Sequence, residues 1–253
     1  MPVFRKTTPA AELCRFEAEA AGLAALRATG SVRVPVVIAV GITNGLARID
    51  LEHLDLAGLD RSSGATLGRQ LAELHRHAGD RFGWQGDNWI GGTPQQNGWQ
   101  PEWPLFFARN RLLPQLHRAA GNGMERKLVE RGEALAERLA AFFVDYHPSP
   151  SLLHGDLWSG NASALPDGTP VIFDPAAYYG DREADLAMSE LFGGFPESFY
   201  AAYRLAWPLD AGYETRKTLY NLYHVLNHYN LFGAGYLNQV RRMIDRLAAE
   251  LRG

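Results

Sequence analysis

Two short apolar segments in the second half of the chain each end in an acidic residue, and this feature restricts the possible folds most. The first segment ends in the sequence His-Gly-Asp, with Asp156 last, and Asn161 follows five residues later. The second ends at Asp174, after a turn that Pro-Asp-Gly predicts at residues 166–168. We therefore expect a hairpin over residues 151–173 that brings two carboxylates and one amide together.

These three side chains form the set that phosphoryl transfer requires. That reaction depends on positioning and charge neutralisation around a loose, in-line transition state. One carboxylate, here Asp156, would orient the acceptor hydroxyl and accept its proton. Asn161 and Asp174 would hold Mg²⁺, which takes few protein oxygens and keeps water and phosphate for the rest. An aspartate after glycine is more often a turn residue or a helix cap, but the combined pattern is far more specific.

His154 is the weaker catalytic candidate of this segment. It directly precedes the Gly-Asp pair. A histidine in this place can take part in the chemistry or can brace the loop through hydrogen bonds to the backbone. We favour the bracing role and keep both.

The first part of the chain is predicted to form a small α+β lobe. A strand is expected at residues 3–7 and an amphipathic helix at residues 10–29. Two apolar runs, residues 34–41 and 46–51, flank an Asn-Gly pair, which is typical of a hairpin turn. Residues 1–55 are therefore interpreted as one lobe.

Residues 56–253 are predicted to form a larger and mostly helical lobe. A long stretch without periodicity, residues 82–101, is rich in Gly, Asn, Gln and Trp and is interpreted as a functional loop. Helical periodicity is present in seven segments: residues 63–77, 103–117, 127–143, 183–192, 199–204, 213–229 and 237–251.

Composition excludes several classes of function. The net charge of −3 gives no strong field for nucleic acid or an anionic membrane. A single cysteine, Cys14, rules out an intrachain disulfide, and neither a signal peptide nor a membrane span is predicted. We expect a cytoplasmic enzyme, and the sequence leaves its oligomeric state open.

The segment around Asp156 resembles the aminoglycoside phosphotransferase and choline kinase superfamily, which has a protein-kinase-like two-lobe fold. The tryptophan at position 158 makes it similar to the fructosamine kinase (ketosamine-3-kinase) family in particular. The resemblance runs from about residue 3 to residue 236. Its motifs are residues 154–161, 173–176, 178–180, 88–91, 94–95, 97–99, 106–107, 111–115, 185–188, 191–195, 227–228 and 232–233.

The resemblance implies a site for ATP with Mg²⁺. Lys6 resembles the strand lysine that reaches the ATP phosphates, and it is one of only three lysines in the chain. Glu19 resembles the helix glutamate that pairs with this lysine, with Glu17 as the competing candidate. The segment Glu52, His53 and Leu54 falls at the hinge between lobes, where the backbone would meet adenine.

The same resemblance implies an acceptor side that binds a ketosamine or a glycated protein amine. Trp158 would pack its ring on the sugar. Asn97, Trp99 and His228 are the further substrate candidates, and for Trp99 packing in the core is an equal alternative.

One departure from the family pattern leaves alternative functions open. Kinase-like folds begin with two strands and a glycine-rich turn over the phosphates, whereas this chain begins almost at the lysine strand. We therefore expect a small lobe that lacks these strands. A non-catalytic nucleotide-binding module, or a kinase of an aminoglycoside or another amino sugar, are the alternatives to a ketosamine kinase.

Overall fold

The computed structural model describes residues 2–252 and has the predicted α+β architecture, with a small strand lobe and a larger helical lobe. The small lobe consists of β1 (Val3–Pro9), α1 (Leu13–Ala28), β2 (Val37–Thr43) and β3 (Leu46–Glu52). The strands form one antiparallel sheet in the order β1-β3-β2. Asn44 and Gly45 both have positive φ, 52° and 76°, as the predicted Asn-Gly hairpin turn requires.

Helix α1 packs on one face of this sheet. Its residues Phe16, Leu23 and Leu26 are buried with Ile49 and Leu51 of β3. The predicted helix over residues 10–29 begins as a 3₁₀ turn at Ala10–Glu12, directly after Pro9. The apolar face of α1 thus fixes the helix against the strand that leads to the second lobe.

The larger lobe contains eight α-helices within the described residues. Two predicted helices are interrupted: residues 108–112 adopt a π-helical turn before Pro114, and a 3₁₀ turn follows residue 137. Proline has no N–H to donate to the preceding turn, which explains the first interruption. The helices are α2 (Arg61–His75), α3 (Trp103–Phe107), α4 (Leu113–Gly121), α5 (Arg126–Glu137), α6 (Glu183–Leu191), α7 (Glu197–Ala206), α8 (Tyr213–Phe232) and α9 (Leu237–Glu250).

Three short two-stranded sheets lie between these helices. The stretch predicted as an irregular loop contains a hairpin, because β4 (Asn88–Ile90) pairs with β5 (Thr93–Gln95). The predicted hairpin is formed by β7 (Ala162–Ala164) and β8 (Pro170–Ile172). The strand before the His-Gly-Asp sequence, β6 (Ser151–Leu153), pairs instead with β9 (Tyr178–Gly180).

These short sheets place the ends of β6 and β8 beside each other.

The boundary predicted between residues 55 and 56 falls in the segment between β3 and α2, and it stays a prediction. Within residues 2–252 no helix combines the length and the apolar character that crossing a bilayer demands.

Helices α2 and α7 approach so closely that a side chain at their contact is excluded. A Cβ atom added to Gly68 would overlap the carbonyl oxygen of Phe199 and come within 3.0 Å of the Tyr203 nitrogen. Because both partners are backbone atoms, neither can rotate away. Gly68 therefore permits the approach of the two helices.

We predict that Gly68→Ala destabilises the protein by about 1–3 kcal/mol or more, since the helices must separate. Thermal unfolding measures this as a fall in Tm of several degrees. Gly121→Ala is the matched control, because Gly121 also lies in a helix and an added Cβ meets nothing within 4 Å. An equal Tm for the two variants would contradict the backbone contact.

Candidate active site

The three residues predicted for catalysis and metal binding lie in one cleft between the lobes. A cavity of about 350 Å³ is lined by Asp156, Asn161 and Asp174 from the larger lobe and by Lys6 and Glu19 from the smaller lobe. The sequence prediction that these side chains converge agrees with this geometry. With Arg15 and Asn88, which also line it, the cleft combines two cations, three carboxylates and two amides.

Lys6 joins the two lobes through ion pairs. Its Nζ donates to Glu19 Oε1 at 2.8 Å and to Asp174 Oδ1. Burial alone would lower the pKa of Lys6, but the two carboxylates outweigh this and raise it, so the ammonium stays charged. Glu17, the competing candidate, is exposed on the other side of α1.

The loop between β6 and β7 holds Asp156 beside Asn161. The Asn161 Nδ2 donates to the Asp156 backbone oxygen at 2.9 Å and to its Oδ2 at 3.2 Å. Gly155 has a φ of 84°, and a Cβ there would overlap the Ala176 carbonyl, so only glycine fits. Burial raises the pKa of Asp156 to about 7, against the hydrogen bond from Asn161.

The donor set of the cleft fits Mg²⁺. The amide of Asn161 uses its nitrogen for Asp156, which leaves its oxygen for a cation. Asp174 has a φ of 58°, and its carboxylate is 43% exposed in the cleft. No group of three or more His, Cys, Asp or Glu side chains suited to a metal occurs within residues 2–252. One aspartate and one amide oxygen suit an ion that takes its other oxygens from phosphate and water.

His154 braces the loop, the role favoured from the sequence, and does not face the cleft, so the structure gives a direct chemical role no support. The ring is fully buried, its Nε2 donates to the Phe173 oxygen at 2.9 Å, and its Nδ1 accepts from the Asp156 N–H at 3.3 Å. Burial lowers the pKa of His154, which keeps the ring neutral in this tautomer. Both nitrogens are used by the backbone, so neither is free for a substrate.

Asp185 is a functional candidate that the sequence analysis did not assign. It lies in the first turn of α6, completely buried, and accepts the backbone N–H groups of His154 at 2.7 Å and Gly155 at 2.8 Å. Its Oδ2 also lies 3.1 Å from His75 Nε2. Burial alone would raise the pKa of Asp185, but the hydrogen bond and charge of His75, together with the loop, lower it. The available signal was its place at the start of the motif at residues 185–188.

A second cavity, of about 290 Å³, adjoins the first at Asp174. Its walls are mainly apolar and include the predicted hinge Glu52, His53 and Leu54. The Glu52 carboxylate is paired with Arg33 at 2.5 Å, and the His53 N–H donates to the Pro2 oxygen at 3.1 Å. Within residues 2–252 the Leu54 N–H makes no hydrogen bond. The hinge thus offers backbone groups and apolar side chains to a flat ring.

A third cavity, of about 490 Å³, lies on the opposite side of Asp156. It is lined by Asp156, Trp158 and His228, with further aromatic side chains at its mouth. The ring of His228 stacks on Phe192 at 4.8 Å. Burial lowers the pKa of His228, and that of its neighbour His224 to about 3, so both rings are neutral. The cavity suits an uncharged or cationic organic group.

Asn97 and Trp99 do not line the cavities that Asp156 borders, so the structure gives their predicted substrate contact no support and it stays a prediction. Asn97 is 1% exposed, and its amide bonds to Gly86, Asn88 and Arg111 inside the protein. Trp99 packs against Tyr179 at 6.3 Å, outside the cavities that Asp156 borders. From this region, Ile90 and Gly91 line the cavity with Trp158 and His228, whereas Asn88 and Trp89 line the cavity with Lys6.

We predict that Asp185→Asn lowers the free energy of unfolding by about 3 kcal/mol at neutral pH, because the buried loop N–H groups lose a charged acceptor. The folded pKa of Asp185 lies below the unfolded value of about 4, so the carboxylate stabilises fully above that pH. The difference from wild type should therefore shrink as pH falls below about 4. Denaturant unfolding measured from neutral pH to below about 4 tests this, with exposed Asp80→Asn as control. A difference independent of pH would contradict this role.

Comparison with known proteins agrees with this geometry. A family model described as fructosamine kinase matches residues 1–250. The chain is 47% identical to the probable ketoamine kinase of Synechocystis over 96% of this chain and 82% of that protein. It is 44% identical to the chloroplastic protein-ribulosamine 3-kinase of Arabidopsis thaliana, over 96% of this chain and 74% of that protein. A crystal structure provisionally assigned as a fructosamine-3-kinase from Haemophilus somnus superposes with a TM-score of 0.89 and 34% identity, over 97% of this chain and 83% of that one. The chain belongs to the fructosamine kinase family.

Proposed function

We propose that this protein transfers the γ-phosphate of ATP to a sugar hydroxyl of a ketosamine, of the fructosamine or ribulosamine type. The observation that carries the proposal is the position of Asp156, which borders both the cavity with Lys6 and Asp174 and the cavity with Trp158 and His228. A carboxylate at the junction of two cavities can meet a phosphate donor on one side and an alcohol on the other. Family membership and the names of the relatives support the same reaction.

ATP would span the two cavities that meet at Asp174. The adenine ring fits the apolar cavity beside Leu54, and the phosphates then extend towards Lys6. Lys6 is a compact cation already aimed by Glu19, so little reorganisation is needed to bind an anionic oxygen. Asp174 and the free amide oxygen of Asn161 would hold Mg²⁺, which neutralises the charge of the triphosphate.

Asp156 would act as the base. Its carboxylate is oriented by the Asn161 amide and would accept a hydrogen bond from the acceptor hydroxyl. The proton moves to Asp156 as the oxygen–phosphorus bond forms, because the loose transition state develops nucleophile charge late. The acceptor oxygen thereby becomes the phosphate ester, and ADP leaves.

The acceptor would occupy the cavity lined by Trp158 and His228. The indole can cover the apolar face of a sugar, and no lysine or arginine lines this cavity within the described residues. A sugar joined to an amine is compatible with such walls, whereas an anionic acceptor is not. The exposed Phe192 and Phe232 at the mouth leave room for an amine substituent, as on a small molecule or a glycated protein.

We predict that Asp156→Asn reduces kcat by about 10²–10⁴-fold, the usual contribution of a positioned base. ADP release with Mg-ATP and a model fructosamine measures this. The fold and nucleotide binding should be kept, because Asp156 lies in the cleft rather than in the apolar core. Asp145→Asn, at an exposed position outside the cleft, is the matched control. Wild-type turnover in Asp156→Asn would remove the assignment of the base, and nucleotide binding without turnover in the wild type would favour a non-catalytic module.

We predict that Asp174→Asn abolishes the Mg²⁺ dependence of nucleotide binding. Calorimetry with ATP, with and without Mg²⁺, should show metal-enhanced affinity in the wild type and none in the variant. Exposed Asp167→Asn, in the turn between β7 and β8, is the control. Unchanged enhancement in Asp174→Asn would place the metal elsewhere.

A further inference from the structure

Arg111 is a buried cation whose role the proposed function leaves unexplained. It is completely buried, and within residues 2–252 no carboxylate lies at ion-pair distance from it. Its guanidinium lies over the ring of Tyr178 at 4.0 Å and over that of Phe106 at 4.7 Å. Burial of a permanent charge is costly unless its donors are used. Cation–π contacts stabilise the charge, and the Nη donors point to backbone and amide oxygens, whereas Nε has no partner within the described residues.

These donors hold the loop that follows β5. The Arg111 Nη1 donates to the Gln96 oxygen at 2.5 Å and to the Asn110 oxygen at 2.9 Å. Its Nη2 donates to Asn97 Oδ1 at 2.8 Å. Arginine has donors only, so Asn97 must present its oxygen to Arg111 and its nitrogen elsewhere. Arg111 thus decides which way the Asn97 amide points.

This orientation passes along a chain of amides. The Asn97 Nδ2 donates to Asn88 Oδ1 at 2.8 Å, and the Asn88 Nδ2 donates to the Ala177 oxygen at 2.9 Å. Gln95 runs parallel: its Nε2 donates to Asn88 Oδ1 at 2.8 Å and to the Ala176 oxygen at 3.2 Å. Each amide can take only one orientation, because the first donor is fixed. We call Arg111, Asn97, Asn88 and Gln95 the amide relay.

The last hydrogen bonds of the amide relay reach the backbone segment that follows Asp174 in the chain. Ala176 and Ala177, whose oxygens accept its last hydrogen bonds, follow Asp174 by two and three residues. The Ala176 N–H in turn donates to the His154 oxygen at 2.9 Å, which ties the segment to the loop of Asp156. Asp174 has a left-handed φ of 58°, a conformation that persists only when the surroundings hold it.

The other side of the relay carries a wall of the cleft. Asn88 belongs to β4. In this strand Trp89 lines the first cavity, with Lys6 and Asp174, and Ile90 lines the third cavity, with Trp158 and His228. A shift of Asn88 would therefore move both walls together with the segment behind Asp174. The hydrogen bonds of the amide relay therefore fix the distance between β4 and the segment that follows Asp174.

We propose that Arg111 is a positioning residue, which through the amide relay fixes Asp174 and the β4 wall relative to each other. The inference rests on the proposed function, since it assumes that Asp174 serves the nucleotide and its metal. Arg111 touches neither reacting group, so its effect must pass through Asn97 and Asn88. A purely structural arginine would affect stability but not the ratio of activity to folded protein.

The variant Asn97→Asp interrupts the amide relay but keeps an acceptor for the buried Arg111. The aspartate still accepts from Arg111 and adds an ion pair, but it cannot donate to Asn88 Oδ1. We expect a Tm lowered by only a few degrees, because the ion pair with Arg111 offsets part of the lost bonds to Asn88 and Gly86. We expect a kcat lower by about tenfold to a hundredfold, as for a displaced catalytic group. Mg-ATP should also bind less tightly by calorimetry, which is a readout independent of turnover. Exposed Asn122→Asp is the matched control.

Hydrogen–deuterium exchange tests the relay without reference to activity. In Asn97→Asp, peptides covering residues 174–178 should exchange faster than in the wild type, whereas those of α9 should not change. Wild-type exchange, kcat and Mg-ATP affinity in Asn97→Asp would overturn the proposal.

Two further measurements keep the proposal testable if Asn97→Asp does not fold. In the wild type, residues 95–98 and 174–178 should open as one unit, with similar protection at increasing denaturant; independent opening would overturn it. Arg111→Lys, which keeps a donor for Asn97, should restore part of the kcat that Arg111→Met loses, and equal kcat values would also contradict it. An inactive wild type would instead refute the proposed function. The hydrogen–deuterium exchange comparison would still test the amide relay in that case, because it does not depend on activity.

Discussion

The ion pairs of Lys6 with Glu19 and Asp174 hold the cleft together, because they join the sheet and helix of the small lobe to a strand end of the larger one. The charge of the half-buried ammonium is compensated by two carboxylates. In the proposed function, a phosphate oxygen of ATP would take the place of one of these carboxylates. In this function the cleft is therefore preorganised for the triphosphate, next to Lys6, and for its Mg²⁺, next to Asp174.

Two carboxylates at the Asp156 loop, Asp156 itself and Asp185 of α6, have opposite pKa shifts because their partners differ. Burial raises the pKa of Asp156 to about 7, whereas hydrogen bonds and the charge of His75 keep the pKa of the more deeply buried Asp185 low. The difference follows from their partners: Asp185 receives two backbone N–H groups, and Asp156 receives one amide. Asp185 thus stays ionised and holds the loop, whereas Asp156 is able to exchange a proton.

Asn97, in the Asn-rich stretch after residue 82, shows why residue type alone does not separate a substrate contact from a structural one. Asn97 was predicted at the acceptor site, yet its amide is used to connect Arg111 with Asn88. An amide is equally suited to a ligand and to a buried network, so its identity does not distinguish the two. The distinction depends on burial and on donors that come from distant parts of the chain.

The sequence by itself determined the two lobes, the Asn-Gly hairpin and the convergence of Asp156, Asn161 and Asp174, because these follow from local periodicity, turn chemistry and short spacing. Only the tertiary structure decided that Glu19 rather than Glu17 faces Lys6, that His154 is buried, and that Asp185 holds the loop. Each of those outcomes depends on contacts between residues far apart in the chain. Hydrogen-bond partners at that separation leave no pattern in a single sequence.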